Sequence, residues 1–181
     1  MHAAANRSET RARPERILAA ADESGDELRR RFDSALPFRH LVLDSFFEPD
    51  FAERLIEAFP SFDERLAMNE NGEVGAKCVH QRLPDLGPPW RELDDIVRSP
   101  DFLEWLGAVT GIPGLRYDPD YFGGGTHENR HGQELDPHVD FNRHPTTGLH
   151  RRLNLIVYLN REWDDAWGGA IDFHADPHLP P

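Results

Sequence analysis

Cysteine is nearly missing from this 181-residue chain, and its scarcity excludes two kinds of chemistry. Cys78 stands alone, so no internal disulfide can form and no thiolate cluster can hold zinc. A lone cysteine is more often a small buried hydrophobe than a nucleophile, and nothing beside Cys78 marks it as activated. Basic residues are in deficit: 20 Lys and Arg against 33 Asp and Glu leave a formal net charge of -13. Phosphate binding demands a surplus of Lys and Arg, so this balance speaks against nucleic acid, and equally against an anionic membrane surface. The excess of acid mostly serves solubility. Long hydrophobic runs are also lacking. The longest, residues 155–159, is far short of a membrane span. The first, residues 17–21, is too short for a signal-peptide core, and Glu9 and Glu15 break the Arg-rich start that a transit peptide would need. The cytoplasm is therefore the expected location.

What is present has the size of one domain with a real core. Residues 1–13 are polar and small and are expected to be a flexible tail, with residues 14–181 as the domain. Residues 14–32 are a candidate helix, weakly amphipathic. Residues 38–43 read as a strand bounded by Pro37 and Asp44. Pro49 suits the first turn of a helix whose face carries Phe51, Leu55, Ile56 and Phe59, and Pro60 stops it. Residues 68–89 are rich in Gly, Pro and Asn, with one short strand expected in 77–83. A helix follows through Trp90, Leu93 and Val97. Ser99 as N-cap, Pro100 in the first turn and Asp101 against the dipole open another, which Gly111 closes. Beyond Gly111 the pattern turns to loops and strands. A helical part (14–110) followed by a β part (111–181) predicts an α+β fold with helices on one side of a sheet.

Three short patterns could hold a metal. His127-Glu128-Asn129-Arg130-His131 spells H-E-x-x-H, which needs a helix so that both imidazoles share a face and the Glu can deprotonate a zinc-bound water. Its surroundings oppose a helix: Gly123-Gly124-Gly125 before it, Gly132 after it, and little apolar surface. The other two are the His-x-Asp pairs His138-Val139-Asp140 and His174-Ala175-Asp176. With 10 His and 18 Asp, about one such pair is expected by chance, so context must separate them. On a strand, residues i and i+2 share a face, and His138 and Asp140 could reach one cation. Pro177 follows the second pair closely, which makes His174 and Asp176 loop residues.

The order of several pieces carries more information than any one of them. Gly123-Gly124-Gly125-Thr126-His127 is followed by Leu135-Asp136-Pro137-His138-Val139-Asp140-Phe141-Asn142. Then comes Arg151-Arg152-Leu153-Asn154-Leu155-Ile156-Val157-Tyr158-Leu159-Asn160, and finally Trp163 with Trp167-Gly168-Gly169. This succession resembles the prolyl 4-hydroxylase-like branch of the Fe(II)/2-oxoglutarate-dependent dioxygenases. The resemblance implies a double-stranded β-helix, or jelly roll, with the N-terminal helices packed on one side. It implies Fe(II) held by two His and one carboxylate, 2-oxoglutarate as cosubstrate, and ascorbate as a further cofactor. The reaction implied is hydroxylation of a C–H bond in a small-molecule or prolyl peptide substrate, with 2-oxoglutarate converted to succinate. By position, His138 and Asp140 match two iron ligands, and Tyr158 matches a tyrosine that bonds 2-oxoglutarate in some members. Period-2 alternation places Asn154 and Ile156 on the face of Tyr158, so Asn154 joins it as a candidate cofactor contact. Arg151 and Arg152 read as structural or surface cations. The family also carries a distal His and an Arg or Lys on later strands. His174 and His178 follow Gly169 too closely to match that His, so the barrel is expected to be incomplete, as in a truncated member. The alternatives are a zinc hydrolase using His127, Glu128 and His131, and a non-catalytic barrel fragment.

Overall fold

In a computed structural model that describes residues 16–17, 23–69, 71–133, 137–176 and 178, four helices follow the signals written at their ends. Helix α1 spans Gly25–Ser34, and the Ser24 hydroxyl caps it by accepting the Glu27 N–H at 3.2 Å. Asp26 and Glu27 lie in its first turn, where the helix dipole favours negative charge. Helix α2, Pro49–Glu57, begins on the expected proline and buries Phe51 and Leu55 completely, one turn apart on the same face. Helix α3, Pro88–Val97, buries Trp90, Leu93 and Asp94, and the Trp90 indole N–H donates to the Ala58 carbonyl at 2.8 Å. Helix α4, Pro100–Thr110, is capped by Ser99, whose hydroxyl accepts the Phe102 N–H at 3.2 Å. It ends at Gly111 in the left-handed conformation (φ 66°). A Cβ there would also displace the guanidinium of Arg29 on α1, a flexible side chain, so the left-handed backbone is what calls for glycine at 111.

These helices close on one core made of Leu28, Phe51, Leu55, Trp90, Leu93, Phe102, Trp105 and Val109, joined by Ile17, Phe47 and Leu83. Edge-to-face rings bind it together, with Phe47 5.1 Å from Phe51 and Phe59 5.8 Å from Trp90. No helix among the described residues is long and apolar enough to cross a membrane.

Two segments differ from expectation. Helix α1 starts at Gly25, and Ile17, expected within a helix over 14–32, is used elsewhere. It is buried and bridges Phe47 antiparallel, while the Arg16 carbonyl accepts the Glu48 N–H at 3.0 Å. Residues 18–22 lie outside the described part. Residues 38–43 form no strand. Their β-type alternation survives in burial alone: Leu41 and Leu43 pack against the core while Phe38 and Val42 are exposed. A strand needs a partner ladder, and what stands beside this stretch is a ring, with Phe173 4.8 Å from His40 and 6.3 Å from Phe38.

Apart from isolated bridges, the β-structure among the described residues is one antiparallel pair, β1 (Cys78–His80) with β2 (Thr126–Glu128), in register Cys78↔Glu128, Val79↔His127 and His80↔Thr126. Cys78 and Thr126 bury on its inner face. Residues 151–160 make no ladder, yet their burial alternates. Val157 and Leu159 pack on the helical core, while Asn154, Ile156 and Tyr158 face outward. Leu155 departs from this pattern and is exposed. Arg161 then ties the end of the segment to Glu53 on α2.

Candidate metal centre

A buried carboxylate anchors the approach to the site. Asp94 on α3 accepts the phenol O–H of Tyr121 at 2.8 Å and that of Tyr117 as well. Burial and the bond to Asp94 push the Tyr117 phenol up to about 12, and burial above all raises Tyr121 further. Both rings are therefore neutral donors. Between them, Asp118 folds back on its own loop, accepting the Asp120 N–H at 2.9 Å and the Phe122 N–H at 3.0 Å. Two glycines then allow close approaches that no side chain would. At Gly123 (φ 73°) a Cβ would lie 2.8 Å from the Phe141 ring, and at Gly125 (φ 112°) it would strike the His80 carbonyl on β1. The Gly-Gly-Gly run thus sets β2 on β1 and Phe141 against the loop.

Residues 137–141 form an irregular segment that carries both predicted ligands. His138 Nε2 stands 3.5 Å from Asp140 Oδ1, with both side chains about half exposed. Two donors at neighbouring positions on one ion with bonds of about 2.1 Å stand about 3 Å apart, so this spacing is close to that of a shared cation. The other carboxylate oxygen is held. Asp140 Oδ2 accepts the Asn154 Nδ2–H at 2.8 Å and pairs with Arg151 Nη2 at 3.2 Å. Arg151 Nε donates in turn to Asn154 Oδ1 at 2.7 Å, and its guanidinium lies 4.5 Å over the Phe141 ring. The Asn154 hydrogen bond, with the charges of Arg151, His138 and Lys77, holds the Asp140 carboxyl below the ordinary carboxylate range.

The structure thus brings His138, Asp140 and Asn154 together, and gives Asn154 a definite task against the carboxylate. Arg151, read from sequence as a structural or surface cation, is part of this triangle. Tyr158 sits apart from it. Its ring meets Trp163 edge-on at 5.3 Å, its hydroxyl is 3.5 Å from the Gly169 carbonyl, and burial raises its pKa. His127 points from the outer face of β2, and burial together with Lys77 lowers its pKa. The H-E-x-x-H reading fails here. Residues 126–128 are a strand, so His127 and Glu128 face opposite ways, and His131 lies in a turn rather than on a shared helix face.

A group that sequence reasoning missed lies on the other side of Phe122. Asp118, Asp120 and His144 bring three donor atoms within 4.8 Å of one another and form a candidate metal site. Among the described residues this is the one place where three such donors meet.

Residues 124–179, just under a third of the chain, match the family model of the 2OG-Fe(II) oxygenase superfamily. The matched stretch contains His138, Asp140, Arg151, Asn154 and Tyr158. No curated protein and no solved structure matches the chain. The match supports an oxygenase of that superfamily in general, an oxidoreductase for which Fe(II) and 2-oxoglutarate are implied.

Proposed function

We propose that this chain serves an Fe(II)- and 2-oxoglutarate-dependent dioxygenase of the prolyl 4-hydroxylase-like branch, with His138 and Asp140 as two of the protein ligands to iron. The observation that carries the reading is the condition of Asp140 within the matched segment. Its carboxyl is kept ionised, one oxygen is bound by Asn154 and Arg151, and the other faces His138 at 3.5 Å. One imidazole and one carboxylate in this arrangement are donors that suit Fe(II). When bound, the iron with 2-oxoglutarate and dioxygen would supply an oxidant that turns a substrate C–H into C–OH, while 2-oxoglutarate leaves as succinate and carbon dioxide.

The chain's own residues have narrower tasks. Asn154 and Arg151 orient Asp140 before any ion arrives, so that binding does not have to order a mobile carboxylate. Tyr158, a half-exposed residue, would donate to a carboxylate of 2-oxoglutarate. The alternation of residues 156–159, with Val157 and Leu159 on the helical core and Ile156 and Tyr158 outward, is what a strand of a jelly-roll barrel would require. A small molecule or a prolyl peptide is the proposed substrate.

Calorimetric titration of Fe(II) under anaerobic conditions tests the assignment. Asp140→Ala and His138→Ala should each weaken binding roughly a hundredfold or more, since each removes a direct ligand, while His127→Ala stays within about threefold. Equal affinity in wild type and Asp140→Ala would sink the reading. For the cosubstrate, Tyr158→Phe should raise the 2-oxoglutarate Kd by about tenfold, the loss of one hydrogen bond to a charged group. An unchanged Kd would return Tyr158 to a packing role.

A further inference from the structure

The candidate group Asp118, Asp120 and His144 invites reading as a second cation site, and the hydrogen bonds of His144 argue otherwise. The residue is 8% exposed. Its Nδ1 accepts two backbone N–H groups, Thr146 at 3.2 Å and Thr147 at 3.1 Å, which closes the turn that follows it. A ring nitrogen that accepts must carry a lone pair, so the neutral imidazole bears its proton on Nε2. That Nε2 is buried without a hydrogen-bond partner, and it stands 3.5 Å from Asp118 Oδ1 and 3.8 Å from Asp120 Oδ2. A cation on Nε2 would need the lone pair there and the proton on Nδ1, facing two N–H donors. The arrangement suits an N–H aimed at carboxylates.

From this group a continuous contact path leads to the metal centre. The His144 ring meets Phe122 edge-on at 5.5 Å, and Phe122 meets Phe141 at 4.9 Å. Phe141 lies under the Arg151 guanidinium, and Arg151 pairs with Asp140. Phe122 is itself held from the other end, because Asp118 Oδ2 accepts its N–H. His144 also anchors the turn between the two arms, with its N–H donating to the Leu149 carbonyl at 2.8 Å and the Arg151 N–H bonding Asn142 at 3.0 Å.

We propose that His144 is a positioning residue: an Nε2–H clasp on the Asp118 turn that sets Phe122, Phe141 and Arg151, and through them the orientation of Asp140. The clasp stands on His144 alone, whereas its effect on a metal rests on the reading of His138 and Asp140 given above.

Two measurements on the full chain decide it. Long-range 15N–1H correlation of the histidine rings should show His144 protonated on Nε2 and bare on Nδ1; the opposite tautomer overturns the clasp. Co(II), used as a spectroscopic stand-in for Fe(II), should bind once per chain and be lost in Asp140→Ala. His144→Asn keeps an acceptor for the Thr146 and Thr147 N–H groups but cannot reach Asp118. It should weaken Co(II) by roughly three- to tenfold and alter the d–d spectrum, with Phe122→Ala shifting the spectrum the same way. A merely structural role would lower the melting temperature and leave the spectrum of bound Co(II) unchanged, and that result overturns positioning. A second Co(II) that persists in Asp140→Ala and disappears in His144→Ala or Asp118→Ala overturns the proposal in favour of a cation site. If wild type binds no Co(II), the His138–Asp140 reading falls and the positioning role with it, while the tautomer still decides the clasp.

Discussion

The helices between residues 25 and 110 and the loops between 117 and 161 are held by different kinds of interaction. In the helical region each element is delimited within a few residues of itself, by Ser24, Ser99, Pro49, Pro88 or Gly111, and contributes large side chains to one core. In the second region the elements are short or irregular, and order comes from polar side chains that meet across long stretches of sequence. Asp94 takes two tyrosines, Asp140 takes Asn154 and Arg151, and Arg161 takes Glu53. Stability is concentrated in the first region and geometry in the second, so substitutions should separate the two.

The largest expected effect is a core truncation. Phe51→Ala removes a fully buried ring and should cost about 3–5 kcal/mol in chemical denaturation. Ile156→Ala, half exposed on the outward face, should stay within about 1 kcal/mol. Comparable losses from the two would erase the distinction. Next comes Gly111→Ala, which forces a side chain into the left-handed region and against Arg29. It should cost roughly 1–2 kcal/mol or more by the same measurement. A neutral result would mean that α4 can end otherwise and that its cap is dispensable.

The smallest effect belongs to the second region. His127 has its pKa lowered by burial and by Lys77, so its folded-state value lies below the unfolded one. As pH falls through the unfolded value of about 6.5, the unfolded chain takes up the proton first and stability declines. The imidazole remains solvent-exposed on one side, which keeps the effect modest. His127→Gln should therefore flatten the melting temperature between about pH 7 and pH 5 relative to wild type. A steeper slope in the variant would show that the sign is wrong.

How far the sequence could be read follows the same division. Helix α4 was visible because Ser99, Pro100, Asp101 and Gly111 act on their own neighbours, and the structure uses Ser99 and Gly111 as caps. The first helix was misplaced because Ile17 leaves its local pattern to bridge Phe47, a contact 30 residues away in the chain that no local signal records. Residues 38–43 have the composition of a strand, yet a ladder depends on a partner that composition does not supply. At the candidate site, the i, i+2 spacing of His138 and Asp140 anticipates their nearness, whereas Asn154, expected as a cofactor contact beside Tyr158, lies against the Asp140 carboxylate. Arg151 read as a structural or surface cation, and its pairing with Asp140 emerges only once Phe141 is known to lie beneath it. Asp118 and His144 were invisible for a related reason: each looks like an ordinary turn residue beside a proline, and their meaning lies in facing each other.

The packing of Val157 and Leu159 on the helical core bears on how such a chain can be recombined. The segment that matches the oxygenase family model begins at residue 124, after helix α4, which invites its use as a cassette for exchange between relatives. It is not self-contained. Two of its side chains complete the helical core, Arg161 reaches back to α2, and β2 has its partner in β1. A chimera joined at residue 124 inherits these dependencies at both ends. Exchanging residues 78–80 and the α2 face along with the segment should rescue hybrids that a clean cut would leave unfolded.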